Sequence, residues 1–144
     1  MTIEIVLQLF LATILGALLG AEREYKGKEA GFRTYSLVAL GTCLFTILFF
    51  ELAHGNAGMP GTTFDISRIV QAVAVGIGFI GAGVIFRQQS GVVGLTTAAG
   101  LWITAAIGVA VGAKFYSDAI FTTFLALLIL AGFEWFEHMF FKTK

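Results

Sequence analysis

Long apolar runs alternate with short polar gaps along the whole chain, and the runs are too long for the helices of a small soluble domain. Five stand out: Ile5–Ala21, Tyr35–Ala53, Ile69–Phe86, Val92–Ala113 and Phe115–Phe136. A helix rises ~1.5 Å per residue and the hydrocarbon slab is ~30 Å thick, so about 17 to 20 residues reach across it. The pattern predicts an all-α polytopic membrane protein, a bundle of five transmembrane helices forming one domain over residues 1–144. The gap from Lys114 to Asp118 is tight but adequate for a helical hairpin.

Composition sharpens this picture. Hydrophobic residues make up 58% of the chain and charged residues 12%, a balance that an interior of this size cannot hide from water. Net charge is zero and no basic stripe is interleaved with aromatics, so no nucleic-acid partner is expected. The first run is preceded by Glu4 and followed by basic residues, the reverse of a cleaved signal peptide. Lys and Arg set the orientation: Arg23, Lys26, Lys28, Arg33, Arg87, Lys142 and Lys144 fall on one side, Arg68 and Lys114 on the other. Seven against two places the N-terminus outside and the C-terminus in the cytoplasm. Trp135, Phe136, Phe140 and Phe141 read as an interfacial belt, with Glu137, His138 and the terminal lysines beside it and no soluble domain expected after them. The single proline, Pro60, lies in a Gly-rich loop from Gly55 to Thr63. Cys43, the single cysteine, sits mid-run and reads as a small buried hydrophobe.

Of the eighteen glycines twelve lie inside the runs, where a helix interior needs a reason to hold them. Hydrocarbon supplies no hydrophobic drive between helices, so small residues that let backbones approach are the expected glue. Gly16 and Gly20, Gly76, Gly78, Gly81 and Gly83, and Gly108 and Gly112 are therefore assigned to helix packing, with runs one, three and four as a tight inner cluster. Runs two and five, with Phe45, Phe49 and Phe50 in one and Phe121 and Phe124 in the other, are expected to face lipid. Gly76, Gly78 and Gly81 have dinucleotide-site spacing but lie inside an apolar run with no acidic residue about 20 positions on, so they read as packing or, as the sharper alternative, a helix break. Such faces on a small chain also predict a homo-oligomer.

Polar residues gather at two rims. On the cytoplasmic side Glu22, Arg23, Glu24, Arg33, Thr34, Arg87, Thr96 and Thr97 form one cluster, with Glu22 or Glu24 placed to pair with Arg33. On the outer side Glu51, Asp65, Arg68 and Gln71 form another, in which Arg68 is expected to pair with Glu51 or Asp65, while capping also accounts for Asp65. Trp102 lies deeper in run four, to seal a cavity or simply to pack. His54 and His138 stand at opposite ends, and no nucleophile–base–acid set assembles. No enzyme, metal site or cofactor is expected.

The blocks Gly16-x-x-x-Gly20-x-Glu22-Arg23-Glu24, Ala30-Gly31-Phe32-Arg33-Thr34, Leu37-Val38-Ala39-Leu40-Gly41, Asp65-x-x-Arg68-Ile69, Gly76-Ile77-Gly78-Phe79-Ile80-Gly81-Ala82-Gly83 and Gly94-Leu95-Thr96-Thr97-Ala98-Ala99 with Trp102 occur in order over nearly the whole chain. In these blocks the sequence resembles the MgtC/SapB family of bacterial inner-membrane proteins. The resemblance implies a five-helix membrane domain, a link in some members to magnesium limitation and to virulence through survival inside macrophages, and restraint of the F-type ATP synthase. The best-known members carry a further cytoplasmic ACT-like domain, and this sequence stops at Lys144.

Two functions follow. One is a non-enzymatic regulatory membrane protein that binds itself or another membrane complex through Gly-rich faces. The other is a small-solute or ion transporter or channel with a mixed-charge pocket. Magnesium keeps most of its waters and favours carboxylates, whereas every deep acid here has a basic neighbour in sequence. That tilts the expectation away from cation conduction.

Overall fold

The computed structural model describes residues 2–56, 64–89 and 91–133, so Pro60 and the belt after Phe133 lie outside the described residues. The elements are α1 (Ile3–Tyr25), α2 (Phe32–Gly55), α3 (Ser67–Val84), a hairpin of β1 (Phe86–Gln88) and β2 (Gly91–Val93), α4 (Leu95–Gly112) and α5 (Tyr116–Leu127), which widens into a π-helical segment over Leu128–Phe133. Helices α1 to α4 are each long and apolar enough to cross a membrane. The fifth run divides into the 12-residue α5 and the π-helical segment. The fourth helix starts later than its apolar run, because Val92 and Val93 pair antiparallel with Arg87 and Phe86. An apolar run alone does not distinguish a short strand from a first helical turn.

The interior combines small and hydroxyl side chains with a few large ones, Leu19, Tyr35, Leu101 and Ile107, while many of the other large apolar side chains point outward. Phe79 is 84% exposed and Val75 76%, while Ala12, Ala39, Cys43 and Thr104 are fully buried. Lipid, not water, satisfies such a surface. Thr42, Thr46, Thr104 and Thr123 fold their hydroxyls back onto the carbonyl four residues earlier in their own helices, at 2.7–2.9 Å. Each buried hydroxyl is thus satisfied without a partner helix.

The tight inner cluster consists of α1, α2 and α4, which corrects the expectation that α3 belongs to it. The glycines explain the choice. A Cβ at Gly16 would lie 2.6 Å from the Tyr35 carbonyl oxygen, one at Gly20 would lie 2.8 Å from that of Gly31, and one at Gly112 would lie 2.7 Å from that of Cys43. At Gly108 it would run into the Ala39 carbonyl and the Thr42 hydroxyl. Helix α2 is therefore held on two sides by bare backbone and is central, although Phe45 on its outer face is exposed. Helix α3 leans chiefly on α4. A Cβ at Gly81 would lie 3.6 Å from that of Ala98, whereas one at Gly76, Gly78 or Gly83 would meet nothing within 4 Å among the described residues, so these three are not packed against the described helices. The helix runs unbroken through all four, which removes the helix-break alternative.

Loop geometry then aims the polar residues. Helix α1 ends in a Schellman turn, with the Gly27 amide bonded to the Glu24 carbonyl, the Lys28 amide bonded to the Arg23 carbonyl, and Gly27 at φ +63°. The turn folds Glu29 back toward the start of α4. At the other side of that junction Gly94, at φ +87°, connects β2 directly to α4 with its α-carbon against the Val84 carbonyl, a place where any side chain would collide.

Gly108→Ala is expected to force α4 from α2 and cost about 1–3 kcal/mol or more, whereas Gly78→Ala leaves stability within about 1 kcal/mol of wild type or raises it. Thermal unfolding of the two variants in detergent checks this, and equal losses would contradict the packing described.

Candidate functional site

The basic rim of the bundle holds an assembled polar site. Its centre is Arg23, on the last turn of α1 and only 3% exposed. Its Nη2 donates to the Thr97 hydroxyl at 2.8 Å, and that hydroxyl donates in turn to Glu29 Oε2 at 2.6 Å. One threonine oxygen thus relays between a buried cation and a surface carboxylate across three elements. The Tyr35 hydroxyl donates to the Thr97 carbonyl at 3.2 Å and forms the floor. Beside Arg23, Glu22 lies 3.9 Å from Nη1 and pairs with Lys26 at 2.6 Å. Lys26 Nζ also donates to the Leu130 carbonyl at 3.0 Å, inside the π-helical segment. Widened turns of that kind misalign backbone carbonyls, and a lysine is a suitable donor to one of them.

A cleft of about 550 Å³ opens over this set. Arg23, Lys28 and Glu29 line its charged side, Thr96 and Thr97 contribute the first turn of α4, and Leu95, Ile129 and Leu130 form an apolar wall. The Thr97 hydrogen bond, and then its own backbone amide, hold the Glu29 carboxyl below the ordinary carboxylate range; desolvation opposes them, and the charges of Arg23 and Lys28 add lesser support.

Other expected members fall elsewhere. Glu24 accepts the Phe32 amide at 2.8 Å, closing the start of α2, and does not pair with Arg33, which is exposed. Among the described residues Arg33 has no ion pair, because the turn spends the Glu24 carboxylate on backbone. Thr34 lines a separate groove of about 660 Å³ between α2 and α3. Arg87 is exposed on β1, opposite Val92. Trp102 is half-exposed beside a small crevice between α3 and α4 and does not seal the cleft.

At the opposite rim Asp65, Arg68, Gln71 and Glu51 are all exposed. Asp65 accepts the Ser67 amide at 2.9 Å and the Ser67 hydroxyl at 2.7 Å, which hold its carboxyl below the usual range with help from the Arg68 charge. Among the described residues no ion pair joins Arg68 to Asp65 or Glu51, so the expected pairing gives way to capping. The pair that does form is Lys114 with Glu4, at 2.7 Å, and it raises the lysine's pKa. Nearby Gln8, 3% exposed, donates to the carbonyls of Val111 and Gly112 at 2.9 and 3.2 Å and caps the end of α4. Glu51 and His54 line a shallow cleft of about 280 Å³ with this group.

Sequence reasoning missed Glu29, Lys28, Tyr35 and Gln8 as site or anchoring residues. A lone glutamine in an apolar run is a visible mark of buried hydrogen bonding. Nothing local marks Tyr35, whose role depends on the α2–α4 crossing.

The MgtC family profile matches residues 9–139. The chain is 41% identical over 134 residues to a putative magnesium transporter, YhiD of Escherichia coli strain K12, covering 93% of this chain and 62% of that protein. It is 39% identical over 131 residues to SapB of Bacillus subtilis strain 168, covering 90% of this chain and 56% of that protein. It is 40% identical over 122 residues to MgtC of Salmonella typhimurium strain LT2, covering 85% of this chain and 49% of that protein. The chain therefore spans about half to two thirds of the length of these relatives. No solved structure matches it.

Thr97→Val keeps the shape but removes both relayed hydrogen bonds, leaving Arg23 short of an acceptor; a loss of about 1–3 kcal/mol is expected. Thermal unfolding in detergent measures it, and an unchanged midpoint would show that the relay is idle. The lowered Glu29 carboxyl adds stability above the ordinary carboxylate range that is lost as pH falls through its depressed pKa. Glu29→Gln is expected to flatten the acid limb of a stability-against-pH curve, and an identical limb would remove that role.

Proposed function

The chain belongs to the MgtC family, and from that premise we propose that it is a non-enzymatic regulatory protein of the bacterial inner membrane that acts by binding and not by conduction. Five helices cross in this reading, with the N-terminus outside and the C-terminus in the cytoplasm, where the Arg23 cleft opens. The Lys and Arg distribution supports that orientation.

The observation that carries the reading is the closed floor of the cleft. Below the Tyr35–Thr97 hydrogen bond lie Leu19 and Leu101, both fully buried, and then the glycine contacts of α1 and α4 on α2. A hydrated path would require those backbones to part along their length. Among the described residues Glu22 is ion-paired with Lys26 and Glu29 accepts from Thr97, and no cluster of carboxylates is placed to hold a hydrated magnesium ion. The outward face of α3, with Val75, Phe79 and the bare backbone of Gly76, Gly78 and Gly83, supports association with a second copy or with another membrane complex. The family resemblance connects that complex to magnesium limitation and membrane energetics, with the F-type ATP synthase as the implied partner. The second reading is a small-solute transporter, favoured by the presence of a polar cleft at each rim.

Proteoliposomes decide between them. Flux of Mg²⁺, protons and small anions is expected to match that of protein-free vesicles, and flux that Glu22→Gln or Arg23→Gln abolishes would overturn the regulatory reading.

A further inference from the structure

We infer that the cleft between the first turn of α4 and the α1–α2 loop binds a phosphate group, carried either by free phosphate or by the headgroup of an anionic phospholipid. The inference rests on the binding reading above and gives it a ligand class. Three independent features converge there. Among the described residues the charged lining of the cleft is two cations, Arg23 and Lys28, and one carboxylate, Glu29. Among the described residues Arg23, 3% exposed, has no acceptor for its Nε–H, and the Glu22 carboxylate beside it stands 3.9 Å from Nη1 with its own oxygens buried and short of hydrogen bonds, so a buried guanidinium with five donors is only partly met. An arriving anion relieves that deficit.

The third feature is the start of α4, an 18-residue helix. Its cap is Gly94, which has no side chain to bond the first amides, and no side chain caps this terminus. The amides of Leu95, Thr96 and Thr97 therefore lack intrahelical acceptors, and the positive end of the helix dipole faces the same cleft that Arg23 lines. Backbone amides plus an arginine fork are the donor set that phosphate oxygens accept. Ile129 and Leu130 of the π-helical segment, with the Leu95 side chain, make the rest of the lining apolar, where the first methylenes of a lipid would follow its headgroup. The volume of about 550 Å³ leaves room for either source.

The test uses the full chain in maltoside micelles, which carry no phosphate. Inorganic phosphate and, in a separate arm, phosphatidic acid are titrated by calorimetry and by shift of the unfolding midpoint. Saturable binding in either arm is expected, and the arm that saturates identifies the source. Thr96→Asp places a carboxylate on the first turn of α4, which suits the helix dipole and preserves the fold, yet it should weaken phosphate binding about tenfold or more. Lys28→Gln should weaken it less. No saturable binding in either arm, or full affinity in Thr96→Asp, overturns the inference. The flux measurement fails separately: phosphate flux with intact binding defeats the regulatory reading and keeps the site, while silent vesicles without binding do the reverse.

Discussion

The close approach of three backbones is the constraint on which the rest of this structure depends. Where α1 and α4 press bare glycine against α2, there is no room for a Cβ, and the seam is held by dispersion contacts between main chains. In lipid that is a sufficient glue, because separated helices gain nothing from burying leucine. The same closeness brings the end of α1 and the start of α4 together at one rim. Arg23 reaches Thr97 because Gly20 and Gly100 have already let the helices in, with the Tyr35 ring filling the space beside Gly100.

The polar site is in this sense a by-product of packing, but its chemistry is specific. A guanidinium withdrawn from water needs acceptors in a fixed plane, and among the described residues the rim supplies only some of them: the Thr97 hydroxyl, with the Tyr35 hydroxyl beside it, and a carboxylate at a distance. Elsewhere in the bundle, polar groups are satisfied locally, the threonines by their own helices and Gln8 by the last carbonyls of α4. The incompleteness around Arg23 sets this rim apart from the other, where Asp65 is spent on Ser67 and Lys114 on Glu4.

Much of the architecture was legible in the order of residues. Apolar length and charge placement marked the four long helices, and the membership of Glu22, Arg23, Thr96 and Thr97 in one polar set followed from their place at the same rim. Which helices pack was not legible, because glycine spacing identifies a face that can approach another but not the partner it approaches. Gly16 and Gly20 found α2, whereas Gly76, Gly78 and Gly83, equally suggestive as letters, face outward. Sequence proximity also misled at Arg68 and Arg33, where the neighbouring carboxylates turned to backbone amides, which lie closer than any side-chain cation. The hairpin before α4 was hidden because its valines extend an apolar run.

That hairpin has a mechanical consequence. Helix α3 leans chiefly on α4, and its final carbonyl, from Val84, abuts Gly94 at the point where the chain swings into α4. Sideways displacement of α3 within the bilayer, whether driven by thickness, tension or a neighbouring protein, has to be absorbed by flexing six strand residues or delivered to the turn that bears Thr96 and Thr97. The lipid-facing helix and the charged rim thus share a pivot.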